Sequence, residues 1–282
     1  MIFDPPRLRL LSDCYLAVEF GDDASLALNA RALAFAKALR EEAVAGVVEV
    51  CPAMAQVAIV FDRSRITRER LEGAANEILL DVKNLSTVAS RIVTIPVWYD
   101  DPWSQHVAER LGVPHNISAV ATANGLTVSE LVGRHSSATY WVPLVGFTPG
   151  ANDSVAIEGR FAITAPKYVV PRTFTPARTI GCAGTATCIY PVASPGGYQM
   201  IGRAAVDVFV PDPWDSAFRQ DGVLLQAGDR IVYSRIDPIE YDEIRAQTAA
   251  RAYEYQVVEG EIDIATLGES SDASDPVDVQ TR

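Results

Sequence analysis

The strongest constraint on this chain is how often it is interrupted. Beyond Thr139, Gly, Pro or Thr breaks every apolar run early. The segments Tyr140 to Val145, Cys188 to Val192, Met200 to Gly202, Val206 to Val210 and Arg230 to Tyr233 are therefore too short for helices and read as strands. Short strands with turns at close spacing are how closed or sandwiched β folds read. Ile239 to Thr248 reads as a late helix, and Tyr253 to Ile264 as a final strand.

Residues 1–90 have a different texture. Arg7 to Phe20 alternates as a strand interrupted near Ser12-Asp13. Ser25 caps a helix with Leu28, Ala32, Phe35, Ala36 and Leu39 on one face. Gly46 to Val50 and Gln56 to Phe61 are β-branched runs. Thr67 to Val82 is a second helix with Leu71, Ala75 and Ile78 inward, and Arg91 to Tyr99 is a further strand. Strand, helix, strand, strand, helix, strand is the split βαβ, ferredoxin-like order. Helices then follow from Pro102 to about Leu111, from Asn116 to Asn124 and from Thr127 to His135, the last with a Thr127…Glu130 start signal. The expected organisation is α+β: a ferredoxin-like N-terminal domain over 1–90, a β-rich domain over 91–265 and an acidic, disordered tail over 266–282.

Charge narrows the partners. With 36 acidic against 24 basic residues the net charge is -12, which repels phosphate backbones and anionic lipid. No apolar run approaches the ~18 residues needed to span a bilayer, and Met1 to Arg9 lacks a signal-peptide core. A cytoplasmic location is expected. Cys14, Cys51, Cys182 and Cys188 have no zinc spacing and read as buried free thiols, and three histidines so placed support no metal site.

The chemistry-bearing residues concentrate between Pro166 and Arg203. Lys167, Arg172, Thr173, Tyr190, Tyr198, Gln199 and Arg203 are donors suited to planar carboxylates, amides or ureas, and Gly196 and Gly197 allow close backbone approach. The same glycines and prolines equally suit barrel corners and edges. In Arg134 to Gly150, His135 ends a helix. There it either serves as a cation against the helix dipole or carries protons into a pocket floored by Gly146-Phe147-Thr148-Pro149-Gly150. Cys182, next to glycines, reads as a small apolar residue, because nothing local lowers its pKa.

Several strings carry a resemblance. Leu11-Ser-Asp-Cys-Tyr-Leu-Ala-Val-Glu-Phe-Gly-Asp, Asn29-Ala30-Arg31, His135-Ser-Ser-Ala-Thr-Tyr, Gly146-Phe-Thr-Pro-Gly and above all Pro195-Gly-Gly-Tyr-Gln-Met-Ile-Gly-Arg203 resemble the allophanate hydrolase subunit 1 / KipI family. Asp100-Asp101-Pro102-Trp103, the run from Pro166 through Arg172 to Pro176, and Cys188-Ile-Tyr190 resemble the carboxyltransferase region of urea carboxylase. His135 and the Gly-Phe-Thr-Pro-Gly loop are closer to the B subunit of bacterial 5-oxoprolinase. The chain departs from that branch at Ala151-Asn152-Asp153-Ser154.

The resemblance implies a cyclophilin-like β-barrel for the second domain. It also implies a partner homologous to allophanate hydrolase subunit 2 (KipA), with biotin carboxylase and biotin carrier chains supplying carboxybiotin and ATP. On it, Lys167, Tyr190, Tyr198, Arg203 and His135 are candidates for catalysis, while Arg172, Thr173, Gly196, Gly197 and Gln199 are candidates for substrate binding. The expected function is subunit 1 of a heteromeric carboxyltransferase acting on a urea- or amide-type substrate, inactive alone. The alternatives are the B subunit of an ATP-dependent 5-oxoprolinase and a KipI-like inhibitor of a sensor kinase.

Overall fold

The computed structural model describes residues 1–268. The N-terminal elements are β1 (Ile2–Ser12), β2 (Tyr15–Gly21), α1 (Leu26–Glu41), β3 (Val47–Ala53), β4 (Gln56–Phe61) and α2 (Arg68–Lys83). The Ser25 and Thr67 side chains cap the two helices as the sequence requires. The sheet has the order β1-β2-β4-β3, antiparallel throughout. Leu16, Val18 and Phe20 from β2 and Val57, Ile59 and Phe61 from β4 bury against Phe35, Leu39, Leu71 and Ile78 of the helices.

Two features differ from the expected order. What read as one interrupted strand is a β1–β2 hairpin. The strand expected to complete the ferredoxin-like order, Arg91 to Tyr99, leaves this sheet, and β1 takes the position beside β2. The split βαβ unit β2-α1-β3 is present, with β4 between its strands.

The chain continues through β5 (Thr87–Ala89), β6 (Ile92–Tyr99), α3 (Pro102–Leu111), α4 (Asn116–Ala123), α5 (Val128–Ser137), β7 (Thr139–Val145), β8 (Asn152–Ala156), β9 (Arg172–Thr175) and β10 (Thr179–Ala183). It ends with β11 (Ala186–Ile189), β12 (Ser194–Gly196), β13 (Gln199–Ala204), β14 (Arg230–Arg235), α6 (Pro238–Ala249), β15 (Val257–Val258), β16 (Glu261–Asp263) and α7 (Ile264–Gly268). Strands β13-β10-β11-β8-β7-β14-β6 form a sheet whose ends meet in a β13–β6 pairing, so seven strands close a barrel. Closure removes the free edges that short strands would otherwise expose. Val206 to Val210 is not a strand; it makes a single bridge at Phe209, and Tyr253 to Ile264 is reduced to β15 and β16. Residues 266–268, expected in the tail, belong instead to α7, which runs to Gly268 with Leu267 buried; the rest of that expectation lies outside the described residues.

The barrel interior is filled. Val93, Ile95, Val142, Ile180, Ile189 and Ile231 pack with Ile117 and Val120 of α4 and Leu131 of α5. Helix α1 joins the two halves, because its second face places Leu26 and Ala30 against Trp141, Ile262, Ile264 and Leu267. At this junction the fully buried Asn29 donates to the carbonyls of Met54 (2.8 Å) and Pro143 (3.1 Å) and accepts the Trp141 indole N–H (2.7 Å).

Candidate functional site

Strand register builds the floor of the site. Leu144, Asp153, Cys188 and Gly181 are aligned across β7, β8, β11 and β10. They face away from the barrel interior, where Ser154 and Thr187 bond to one another instead. Over this row fold the Tyr190 and Tyr198 rings and the loops around Lys167 and Gly196. Together they enclose a cavity of about 560 Å³ whose rim includes Phe147 and Thr148.

Glycine makes the enclosure possible. A β-carbon on Gly181 would come within 2.9 Å of the Tyr198 Cβ and 3.0 Å of the Tyr190 ring, and one on Gly196 would overlap the Tyr190 hydroxyl. The two loops are tied together where Tyr168 N–H donates to the Gly197 carbonyl at 2.8 Å. Asn116 fixes them to α4, donating to the Tyr168 hydroxyl and accepting Met200 N–H.

Five of the residues singled out from sequence line this cavity: Lys167, Tyr190, Gly196, Gly197 and Tyr198. Arg172 stands immediately behind the wall. It is 4 % exposed, it stacks on the Tyr168 ring at 4.7 Å, and it donates from Nη2 to the Tyr198 carbonyl at 2.8 Å. Its Nη1 has no hydrogen-bond partner, and no carboxylate among the described residues pairs with it. A buried guanidinium left in that state favours an anion or carbonyl nearby. Ser194 Oγ and Thr148 Oγ1, on lining residues, are also buried without partners. Protein groups alone do not satisfy this wall.

Four of the other candidates lie outside this cavity. His135 does not open onto the Gly146–Gly150 loop. It is fully buried in the barrel, bonded to the Tyr99 hydroxyl at 2.7 Å and Thr187 at 3.3 Å, and packed between the Tyr140 and Tyr233 rings. Burial pushes its pKa down to about 3, so it is neither a cation at the helix end nor a proton carrier at the surface. Arg203 lies away from the pocket, over the Trp103 ring at 4.5 Å, because β13 carries it toward β6 rather than toward Tyr190. Gln199 donates its amide to the Pro166 carbonyl at 2.9 Å and so anchors a loop. Thr173 is exposed on β9, outside the cavity lining.

The tyrosines are donors. Burial pushes Tyr190 up to about 12 and Tyr198 higher still, the latter helped by the Asp153 charge, so both stay protonated at neutral pH. Lys167 Nζ sits 5.0 Å from the Tyr198 ring centroid. Cys182 is fully buried with its thiol pushed up to about 12, and Cys188 is raised further, so neither is a nucleophile. Burial, however, holds only for these two cysteines: Cys14 is half-buried and Cys51 exposed, and all four are free.

Sequence reasoning passed over Asp153. It is the acidic residue of the lining, and its Oδ1 accepts the Tyr198 hydroxyl at 3.0 Å. The available signal was the departure of residues 151–154 from the resembled pattern. A larger cleft of about 1260 Å³ opens between α1 and the barrel, with Gly146, Phe147 and Thr148 common to both cavities. Its charged residues are Lys37, Arg40, Glu41, Asp81, Arg219 and Asp221.

The molecule is thus a closed barrel with a donor-lined pocket on its outer wall, joined to a small α/β unit. The family described as "Carboxyltransferase domain, subdomain C and D" matches residues 6–218, and the chain belongs to it. It is 27% identical over 252 residues to the B subunit of 5-oxoprolinase from Bacillus subtilis, covering 86% of this chain and 98% of that one. It is 26% identical over 208 residues to urea amidolyase of Saccharomyces cerevisiae, covering 69% of this chain but 11% of the yeast protein. The crystal structure of the K. lactis urea amidolyase shares the fold, with a TM-score of 0.76 and 23% identity over 93% of this chain and 17% of that chain. No helix among the described residues is long and apolar enough to cross a membrane.

Proposed function

We propose that this chain is a subunit of an enzyme complex that transfers a carboxyl group to a urea- or amide-type substrate held in the Tyr190–Tyr198 pocket. The observation that carries the reading is the convergence of Lys167, Tyr190, Tyr198 and the Gly196–Gly197 backbone on one cavity, backed by an unpaired Arg172. Tyr190, kept protonated, donates to a carbonyl and holds it against the floor, while the Tyr198 hydroxyl is held by Asp153. Lys167 supplies positive charge at the rim, where carboxylate charge would build.

The donor set fits a ureido carboxylate: Ser194 Oγ and Thr148 Oγ1 are buried groups of the lining without partners that such a ligand's bound water would satisfy, and Arg172 adds positive charge from behind the wall. Carboxybiotin, when bound, supplies the carboxyl group. Biotin and ATP would come through a biotin carrier and a biotin carboxylase, with a subunit 2 (KipA) homologue as the direct partner. The exposed Phe147, Val169 and Val170 at the pocket mouth and Phe174 on β9 are apolar surface that such a partner would cover.

A second reading, lactam cleavage within a 5-oxoprolinase complex, is favoured by the coverage of 98% of the Bacillus subtilis B subunit. In both readings the chain alone is inactive. The test is to reconstitute the complex with subunit 2 and to assay carboxylation of urea and ATP-dependent opening of oxoproline in parallel. Activity that persists after both Lys167→Ala and Tyr198→Phe would remove the pocket from either reaction.

A further inference from the structure

We infer that Asp153 determines specificity in this pocket by accepting an N–H from the ligand. The proposal rests on reading the pocket as a substrate site and names the class admitted: neutral ring or chain amides, ureas and lactams that present N–H beside a carbonyl.

Asp153 is set apart by what it lacks. It has no ion-pair partner among the described residues, and its side-chain hydrogen bond is the one from Tyr198 to Oδ1. The Lys167 ammonium that shares the cavity does not pair with it. Asp153 lies half-buried in the floor row between Leu144 and Cys188, where one oxygen is held and the other has no donor among the described residues. A carboxylate held in one orientation beside an apolar floor takes N–H donors well and rejects ligands that offer acceptors alone.

Tyr198 gives the arrangement its direction. Its carbonyl accepts from Arg172 and its hydroxyl donates to Asp153, so one residue separates the cationic side of the wall from the acceptor side. A ligand carbonyl is directed to the Tyr190 and Lys167 donors, and its adjacent N–H falls to Asp153.

Three rings of nearly equal shape isolate the effect: imidazolidinone with an N–H on both sides of the carbonyl, pyrrolidinone with one, and cyclopentanone with none. All are neutral, so affinity measured by NMR titration of the full chain reports hydrogen bonding rather than charge. The expected order is imidazolidinone, pyrrolidinone, cyclopentanone, with about a tenfold fall across the series. In Asp153→Asn the carbonyl oxygen accepts Tyr198 and the amide N–H turns to the ligand, where an acceptor is needed. That variant should weaken the two N–H rings about tenfold and leave cyclopentanone unchanged. Asp153→Ala provides the same comparison if the Asn variant folds poorly. Equal affinity for all three rings, or an unaltered order in both variants, overturns the assignment of Asp153. A chain that binds none of the rings overturns the pocket reading itself.

Discussion

Gly196 and Tyr190 are so closely packed that a β-carbon on the glycine would overlap the phenol oxygen. The neighbouring Gly197 has nothing nearer than the Tyr168 carbonyl oxygen at 3.7 Å, an ordinary contact. Two adjacent glycines therefore have different jobs. Gly196→Ala should displace the Tyr190 ring, cost about 1–3 kcal/mol in denaturant unfolding and abolish ring-ligand binding. Gly197→Ala should stay within about 0.5 kcal/mol of the parent. Equal costs would mean that the Tyr190 contact is not what requires Gly196.

The elements with local signals were the ones legible in the sequence. Ser25, Thr67 and the Thr127–Glu130 capping box start helices where those residues predict. The pocket was half legible, because Lys167, Tyr190, Gly196, Gly197 and Tyr198 are close in sequence and a β fold keeps them close in space. Arg203 belongs to the same string, but it lies at the far end of β13, where the strand pairs with β6 beside Trp98. His135 failed for a different reason: a helix end read locally is at the surface, yet α5 plugs the barrel and carries its last turn into the core. Asp153 reaches the site through long-range pairing with Cys188, which no local pattern reports.

Asn29 should behave as a joint. Its side chain satisfies two carbonyls and one indole N–H, from the β3–β4 turn and from β7, at 0 % exposure. Asn29→Ala leaves the Trp141 N–H buried without an acceptor, at a cost of about 1–3 kcal/mol. Asn29→Asp keeps that acceptor but turns a carboxylate oxygen toward the Met54 and Pro143 carbonyls, so it should cost more than Ala. Urea unfolding midpoints of the two variants give the order. Asp milder than Ala would contradict the hydrogen-bond assignment.

The apolar mouth of the pocket gives a prediction tied to the proposed complex. Val169 is 100% exposed and Val170 80%, so aspartate at Val170 removes no packing within the chain. Val170→Asp and Phe174→Asp should leave unfolding within about 0.5 kcal/mol of the parent. Both should reduce co-purification with a subunit 2 homologue. Undiminished association would place the partner elsewhere.

His135 sets the pH dependence. Its ordinary value is 6.5 and burial lowers it to about 3 in the folded chain. Between these values the unfolded chain binds the proton that the folded chain refuses, so stability is full above pH 6.5 and falls as pH drops toward 3. The limiting slope is about 1.4 kcal/mol per pH unit. The groups around the imidazole do not titrate in that window: burial holds the Tyr99, Tyr140 and Tyr233 hydroxyls above their usual range, and Cys182 is at about 12. Asp101 and Asp229 act in the opposite sense. Burial raises both, so each contributes stability in acid that is lost as pH rises through its folded value. The comparison must therefore be made between parent and variant at each pH. His135→Gln, which keeps a partner for Tyr99, should be less stable than the parent at pH 7 and lose less on going to pH 4.5. Parallel losses in the two chains would show that the imidazole is protonated within the fold.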